Sequence, residues 1–494
     1  MQPRDLQRNP YWRPEDLGSS MPDSQHAVSV ALPCWRDVIA YEENDPSCRA
    51  ALQTSYPRFG IHPLLQRLAT DLLAQRGQVG DSVWLYPCLE AASQARYHCV
   101  TASTNREGRA HLIKVNDLAC LITSGSCSIA AKSFWQHAGL GASSRLAATI
   151  LGLEPRPDPA AACTAHNLLK QRIAGVYNCN PDQVSLHPSG MAALHSALRA
   201  VKQRCPGRPT LQLGFPYVDV LKLPRAVHGG GELLLNTHPD SLAMALDHLQ
   251  PAAVIVELPS NPLLQCVNLS QVSELSRVRG IPVIADDTIG SAVNIDPLPL
   301  VDLVFTSLTK SFAGCGDIMA GSLLLSPYSP WQQELQAILK EMPVIPLAHA
   351  DAVALEYASR DFQYRIARQN RSCKILAHRL QQHPAIASVH HPSTSRSFHD
   401  LMRPGAGYGC LLSFELHGGT AAASRVYDCL PLNKGPSLGT TFSLLCPYVL
   451  LAHYDELDWA AHCGLPSHLL RLSVGLEEPD DLWERLKLGL RHGV

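Results

Sequence analysis

The sequence predicts an α/β fold: a mostly parallel sheet covered by helices on both faces, followed by a smaller α/β domain at the C-terminus. Three observations predict it. Between about 165 and 345, apolar runs of strand length alternate with helical segments. After about 345 the texture changes to a long helical stretch with short strands. Charged residues make up 17% of the chain, below the usual share of about 25%, which implies much buried surface, as in an oligomer.

Helical periodicity at 191–203 (MAALHSALRAVKQ) leads into a strand at 210–214. Further strands are predicted at 252–258, 281–285, 301–306 and 321–325, with a helix at 268–279. Buried parallel strands read as such near-continuous apolar runs. A helical stretch at 346–382 opens the second domain, short strands follow at 410–415 and 469–474, and an amphipathic helix at 479–491 closes the chain. Four segments result. Residues 1–76 form an N-terminal arm whose first 25 residues, rich in Pro, Asp, Arg and Ser, read as loose. Residues 77–165 read as irregular, with no fold of their own. Residues 166–345 form the large domain and 346–494 the small one.

The formal net charge is −2 and the isoelectric point about 6.9. No basic field is present to attract nucleic acid or an anionic membrane. No apolar run approaches the roughly 20 residues that span a bilayer. The 16 cysteines show no CxxC pair or ligand-like spacing, and the first residues lack the apolar core of a secretion signal. Reduced thiols in the cytoplasm are the expectation, with no metal site.

Chemistry-bearing residues cluster at predicted strand ends, where open α/β sheets bind ligands. Lys310, in Phe305-Thr-Ser-Leu-Thr-Lys310, follows an apolar strand and is a Schiff-base candidate; it also reads as a plain surface lysine. Ser307 and Thr309 offer hydroxyls to a phosphate. Asp286 ends another strand and suits a protonated pyridine nitrogen, or a loop cap. Ser189-Gly190-Met191 opens a helix whose N–H groups can receive a phosphate, although Ser189 also reads as a simple N-cap. Asn261, in Glu257-Leu-Pro-Ser-Asn261-Pro262, can hydrogen-bond a phenolic oxygen. Arg471 sits inside an apolar strand and needs an anionic partner: a substrate carboxylate, or Glu477 or Asp480.

In this order the motifs resemble the Cys/Met-metabolism enzymes that use pyridoxal 5′-phosphate (PLP), the cystathionine γ-synthase family of fold type I. The segments HAVSVALPCWRDVIAYEENDP, GFPYVDVLKL at 214–223 and KGPSLGTTFSLLCPYVLLAHY at 434–454 point to its fungal branch. The resemblance implies the aspartate-aminotransferase-like fold with a seven-stranded sheet. It implies Lys310 as the Schiff-base lysine, Asp286 opposite the pyridine nitrogen, and Gly190, Met191, Ser307 and Thr309 around the phosphate. Tyr56 and Arg58, in TSYPRFG, match a Tyr-x-Arg segment that reaches into a neighbouring subunit's site, so a homodimer or homotetramer is implied. Ser437 and Arg471 would hold the substrate α-carboxylate.

Three features depart from the family. Leu213 stands where many members carry a Tyr stacked on the cofactor ring, and Tyr217 is a candidate replacement. The stretch after Lys310 reads AGCGD. About 130 residues separate Tyr56 from Ser189, far more than in bacterial relatives. The implied reaction is γ-replacement on an O-acyl-L-homoserine through a β,γ-unsaturated intermediate, with Lys310 shuttling protons. The nucleophile is cysteine, or a carbon nucleophile such as a β-keto acid enolate, an option motivated by Leu213 and by the altered loop after Lys310. Elimination ranks lower. An inactive ligand-binding homologue is disfavoured by the joint presence of Lys310, Asp286, Tyr56, Arg58 and Arg471.

Overall fold

The computed structural model describes residues 3–102, 108–115 and 117–493. The N-terminal arm carries a two-stranded ladder, β1 (Ser20–Met21) with β2 (Ser29–Val30). It is not loose. Leu6 and Met21 are buried against Phe442 and Leu444 of the small domain, and the Arg4 guanidinium pairs with the buried Asp16 at 2.8 Å. Local composition made this segment look polar. Its few apolar residues find their partners more than 400 positions away in sequence, beyond any local signal.

Residues 77–165 are also regular, contrary to the sequence expectation. Strands β3 (Ser82–Tyr86), β4 (Ala110–Val115) and β5 (Leu118–Thr123) form an antiparallel sheet in the order β3-β5-β4. Helices Leu89–Ala102 and Ser126–Ala138 pack beside it. Every position of β5 is buried, which removes the two-residue alternation by which a half-exposed strand is recognised. Trp84, Tyr86 and Leu121 share one apolar core with Met191, Leu194 and Leu198 of the helix Gly190–Arg204.

The large sheet has seven strands: β6 (Val184–His187), β7 (Thr210–Leu213), β8 (Gly231–Leu234), β9 (Val254–Glu257), β10 (Val283–Asp286), β11 (Leu303–Ser307) and β12 (Gly321–Leu325). Their order is β6-β12-β11-β10-β9-β7-β8. Only β12 is antiparallel to its neighbours. Six strands therefore run the same way and bring their carboxyl ends to one edge. The fold-type-I sheet expected from the sequence is present, with β6 and β8 added to the strands that were predicted.

The predicted helix 346–382 is two helices, His349–Ala358 and Phe362–Gln381. The small domain's sheet comprises β13 (Ile386–His390), β14 (Leu411–Leu416), β15 (Asn433–Lys434), β16 (Leu444–Pro447) and β17 (Leu470–Ser473) in the order β13-β14-β17-β16-β15. The arm's Trp35, Val38 and Tyr41 lie in its core. All sixteen cysteines are free. Among the described residues no helix is long and apolar enough to cross a membrane.

Because Leu121 is fully buried in the core shared with the large domain, Leu121→Ala should cost about 2–5 kcal/mol. Urea unfolding followed by circular dichroism checks this. A change below about 0.5 kcal/mol, the range of surface substitutions, would mean that 77–165 does not pack into that core.

Candidate active site

The carboxyl edge of the large sheet opens into a cleft of about 1150 Å³, including its mouth. Its floor comes from the residues that follow β6, β9, β10 and β11. The arm contributes Tyr56 and Arg58, and the small domain contributes Ser437, Tyr448 and Arg471.

Lys310 lies at the centre. Its Nζ donates to the Tyr56 hydroxyl at 2.9 Å and to the Ser437 hydroxyl at 3.0 Å. Burial alone would raise the Tyr56 pKa, but the Lys310 ammonium, helped by Arg58 and Arg471, outweighs it and holds the phenol below its ordinary value. A phenol so placed accepts a hydrogen bond from an amine and can exchange a proton with it. Ser437 and Arg58 both have positive φ, 91° and 72°. Backbone strain of this kind collects at functional sites, where surrounding contacts hold it in place.

Asp286 ends β10, is buried, and accepts the Thr288 N–H at 2.9 Å. No ion pair reaches it among the described residues. Burial pushes its pKa up to about 7. A buried carboxyl without a cation is a fitting partner for a protonated ring nitrogen, which would return it to the ionised form. Next to it Glu257 accepts the N–H groups of Tyr217 (2.8 Å) and Asn261 (3.0 Å). Burial, with Asp286 nearby, drives the Glu257 pKa well above the carboxylate range. Glu257 thus fixes two loops of the cleft from beneath.

Arg471 stands on β17. Its Nη1 donates to Asn261 Oδ1 at 3.1 Å and its Nη2 to the Ser437 carbonyl at 2.9 Å. The guanidinium lies over the Tyr448 ring, 4.5 Å from the centroid. Neither carboxylate proposed as an internal partner pairs with it. Glu477 accepts from Ser443, and Asp480 pairs with Arg379. A buried guanidinium among neutral acceptors is a site for a ligand carboxylate.

The phosphate end is built by the start of the helix Gly190–Arg204. A Cβ on Gly190 would stand 2.8 Å from Ser307 Cβ and 2.9 Å from its Cα. Only glycine permits this approach of helix end to strand end. The Ser189 hydroxyl caps the helix, accepting from Ala192 N, and donates to the Gly139 carbonyl. Thr309 Oγ1 exchanges hydrogen bonds with the Ala320 backbone. Both line the cleft, but their hydroxyls are already engaged. The backbone N–H groups of Gly190 and Met191, the Ser307 hydroxyl and Arg58 remain as phosphate partners. Arg58 pairs with the buried Asp219 and donates to the Tyr217 hydroxyl at 2.8 Å.

A lysine free to form a Schiff base, an unpaired acid for the ring nitrogen and an anion seat at a helix start are the donor set that PLP requires. A profile described as Cys/Met metabolism PLP-dependent enzyme matches residues 162–491, more than half of the chain. The chain belongs to this family of PLP-dependent enzymes. A cystathionine γ-synthase-like protein, ankD, from Aspergillus thermomutatus is 32% identical over 97% of this chain and 94% of that one. A cystathionine γ-synthase from Neurospora crassa is 29% identical over 95% and 97%. The cystathionine γ-synthase of Xanthomonas oryzae pv. oryzae, solved with aminoacrylate and cysteine, superposes with a TM-score of 0.60 at 27% identity, covering 69% of this chain and 89% of that one.

As a Cys/Met-family enzyme, the protein departs from the sequence expectation at Leu213. Leu213 does not line the cleft. It is buried in the core with Leu186, Leu211 and Val256, because its side chain falls on the face of β7 that packs inward. Tyr217, four residues on, lines the cleft instead. Tyr56 and Arg58, expected from the resemblance to reach a neighbouring subunit's site, contact Lys310 and Asp219 of the same chain here. Asp219, His137 and Tyr448 went unnoticed in the sequence. Asp219 lies five residues past Gly214 in GFPYVDV and offered a signal; the other two are fixed only by tertiary packing.

A raised folded-state pKa makes Asp286 bind a proton that the unfolded chain has lost. Stability of the cofactor-free protein should therefore fall as pH rises from about 4 to about 7 and level off above. Asp286→Asn should remove that slope and stabilise the cofactor-free protein at pH 8, by as much as about 4 kcal/mol for three pKa units. Equal slopes for wild type and variant in urea unfolding across pH would exclude this origin.

Proposed function

We propose that the enzyme catalyses γ-replacement on an O-acyl-L-homoserine with cysteine as nucleophile. The supporting observation is the placing of Lys310 Nζ between the Tyr56 and Ser437 hydroxyls, in the same cleft as the unpaired Arg471 guanidinium. An amino acid seated by its α-carboxylate on Arg471 lies in a cleft where one lysine can act as both base and acid.

Bound PLP supplies the electron sink that lets protons leave the substrate's Cα and Cβ. Asp286 would face the ring nitrogen, and Gly190, Met191, Ser307 and Arg58 would hold the phosphate. The Asn261 side-chain amide NH₂ is the donor left for the phenolic oxygen, since its Oδ1 already accepts from Arg471. Lys310 takes the Cα proton and then moves a proton from Cβ. Tyr56 keeps the amine oriented and can share its proton. The Cγ–O bond breaks and a carboxylate leaves. The cysteine sulfur then forms the Cγ–S bond, and Lys310 returns protons to the carbon chain. The net reaction converts O-acyl-homoserine and cysteine into cystathionine and a carboxylic acid.

The carbon-nucleophile alternative drew on open space over the ring at Leu213. With Leu213 in the core, that part of its support falls away, and the altered loop after Lys310 is what still speaks for it. The Xanthomonas relative solved with cysteine favours the thiol.

Two measurements check this reading. In a competition of cysteine with a β-keto acid, with O-acetyl- or O-succinyl-L-homoserine as donor, product mass should show cystathionine in excess. A predominant carbon–carbon adduct, or free 2-oxobutanoate from elimination, would overturn it. Arg471→Lys should lower kcat/KM for the donor roughly 10- to 100-fold by losing a bidentate carboxylate contact. Unchanged kcat/KM would place the carboxylate elsewhere.

A further inference from the structure

The segment that carries Tyr56 and Arg58 is tied to its own chain at several points. Thr54 Oγ1 donates to the Ala27 carbonyl at 2.8 Å, and Val28 N–H donates to the Gly316 carbonyl at 2.9 Å. Leu32 N–H donates to the Lys434 carbonyl at 2.8 Å. Beyond Arg58, the helix Pro63–Arg76 is held against the β3 side of the 77–165 unit, where Leu65 shares a core with Val83, Leu85 and Ile122.

That unit also touches the cofactor site. The last turn of its helix Ser126–Ala138 points at the phosphate end. The Gln136 carbonyl accepts from Arg58 Nη1 at 3.2 Å. His137 Nδ1 lies 2.8 Å from Asp219 Oδ1, on the carboxylate whose other oxygen pairs with Arg58. The Gly139 carbonyl accepts from Ser189 at 2.8 Å. Gly139, with φ of 67°, lies so close that an added Cβ would stand 2.4 Å from Ser189 Oγ. Gln136, His137 and Gly139 of the inserted unit thus sit against Arg58, its partner Asp219 and the cap of the phosphate-binding helix. Carbonyls at a helix C-terminus carry partial negative charge and suit a guanidinium.

We propose that each chain completes its own PLP site: Tyr56 and Arg58 act in cis, and residues 77–165 brace them in place of a partner subunit. The roughly 130 residues between Tyr56 and Ser189 give the arm the length to turn back onto its own sheet, and the inserted unit holds it there. His137 and Asp219 are positioning residues in this arrangement. The proposal rests on Lys310 as the cofactor lysine and makes no demand on which nucleophile is used.

Chain-mixing separates cis from trans. Arg58→Ala and Lys310→Ala chains, carrying different tags, are co-expressed and purified through both tags. PLP is then titrated, and the visible absorbance of lysine-bound cofactor gives the affinity. In the cis arrangement the only chain with Lys310 lacks Arg58. The hybrid should match the Arg58→Ala protein, about 10- to 100-fold weaker than wild type for the loss of a charge-assisted phosphate contact. Failure of the two chains to co-purify supports the proposal as well, since an unassociated chain has no partner to borrow from. A hybrid that regains wild-type affinity in part of its sites overturns it. Arg58→Lys replaces Arg58→Ala if the latter folds poorly. Wild type tagged in the same two ways is the control: if it takes up no PLP, the cofactor assignment fails and not the cis arrangement. His137→Ala should weaken PLP affinity in the same titration with Lys310 intact, and an unchanged affinity would remove the brace.

Discussion

The ammonium of Lys310 needs hydrogen-bond acceptors inside a cleft, and the whole chain is arranged to supply them. Lys310 follows β11 of the large sheet, one acceptor comes from Tyr56 of the arm, and the other from Ser437 of the small domain. Three segments far apart in sequence must therefore be in place before the amine is held. The arm's burial against Phe442 and Leu444, and of Trp35 and Tyr41 in the small domain's core, keeps Tyr56 within reach of Lys310.

Charge in the cleft follows the same economy. Three buried acids serve three different ends. Asp219 stays ionised because Arg58 and His137 outweigh its burial. Burial, with Asp286 nearby, raises the Glu257 pKa, and its carboxyl organises backbone N–H groups. Asp286, raised to about 7, is left without a cation and so is ready for one. On the cationic side, Arg58 is paired, while among the described residues no ion pair reaches Arg471. Desolvation makes an unpaired buried charge costly, so the positions where the fold leaves one mark where ligand charges belong. Asp286 and Arg471 are those positions, one for the ring nitrogen and one for the α-carboxylate.

Much of this was legible in the sequence. The parallel strands β7, β9, β10 and β11 announced themselves as apolar runs. Lys310, Asp286, Gly190 and Asn261 were found because each stands at or just past a strand end or opens a helix. Residues 77–165 were not legible, because β5 is buried along its whole length and its flanking helices carry weak amphipathic patterns. Leu213 was misplaced for a different reason. The two faces of a fully buried strand look alike in sequence, so nothing there said that its side chain points into the core while Tyr217 faces the cleft. His137 and Tyr448 carry no local mark at all; only packing brings them to Asp219 and Arg471.

The central claim is that Lys310 carries the cofactor. Borohydride reduction of the PLP-loaded protein, followed by proteolysis and mass spectrometry, tests it most directly. The account predicts a single pyridoxyl adduct on the peptide containing Lys310, with loss of visible absorbance. An adduct on any other lysine, or none from a protein that has taken up PLP, would contradict it.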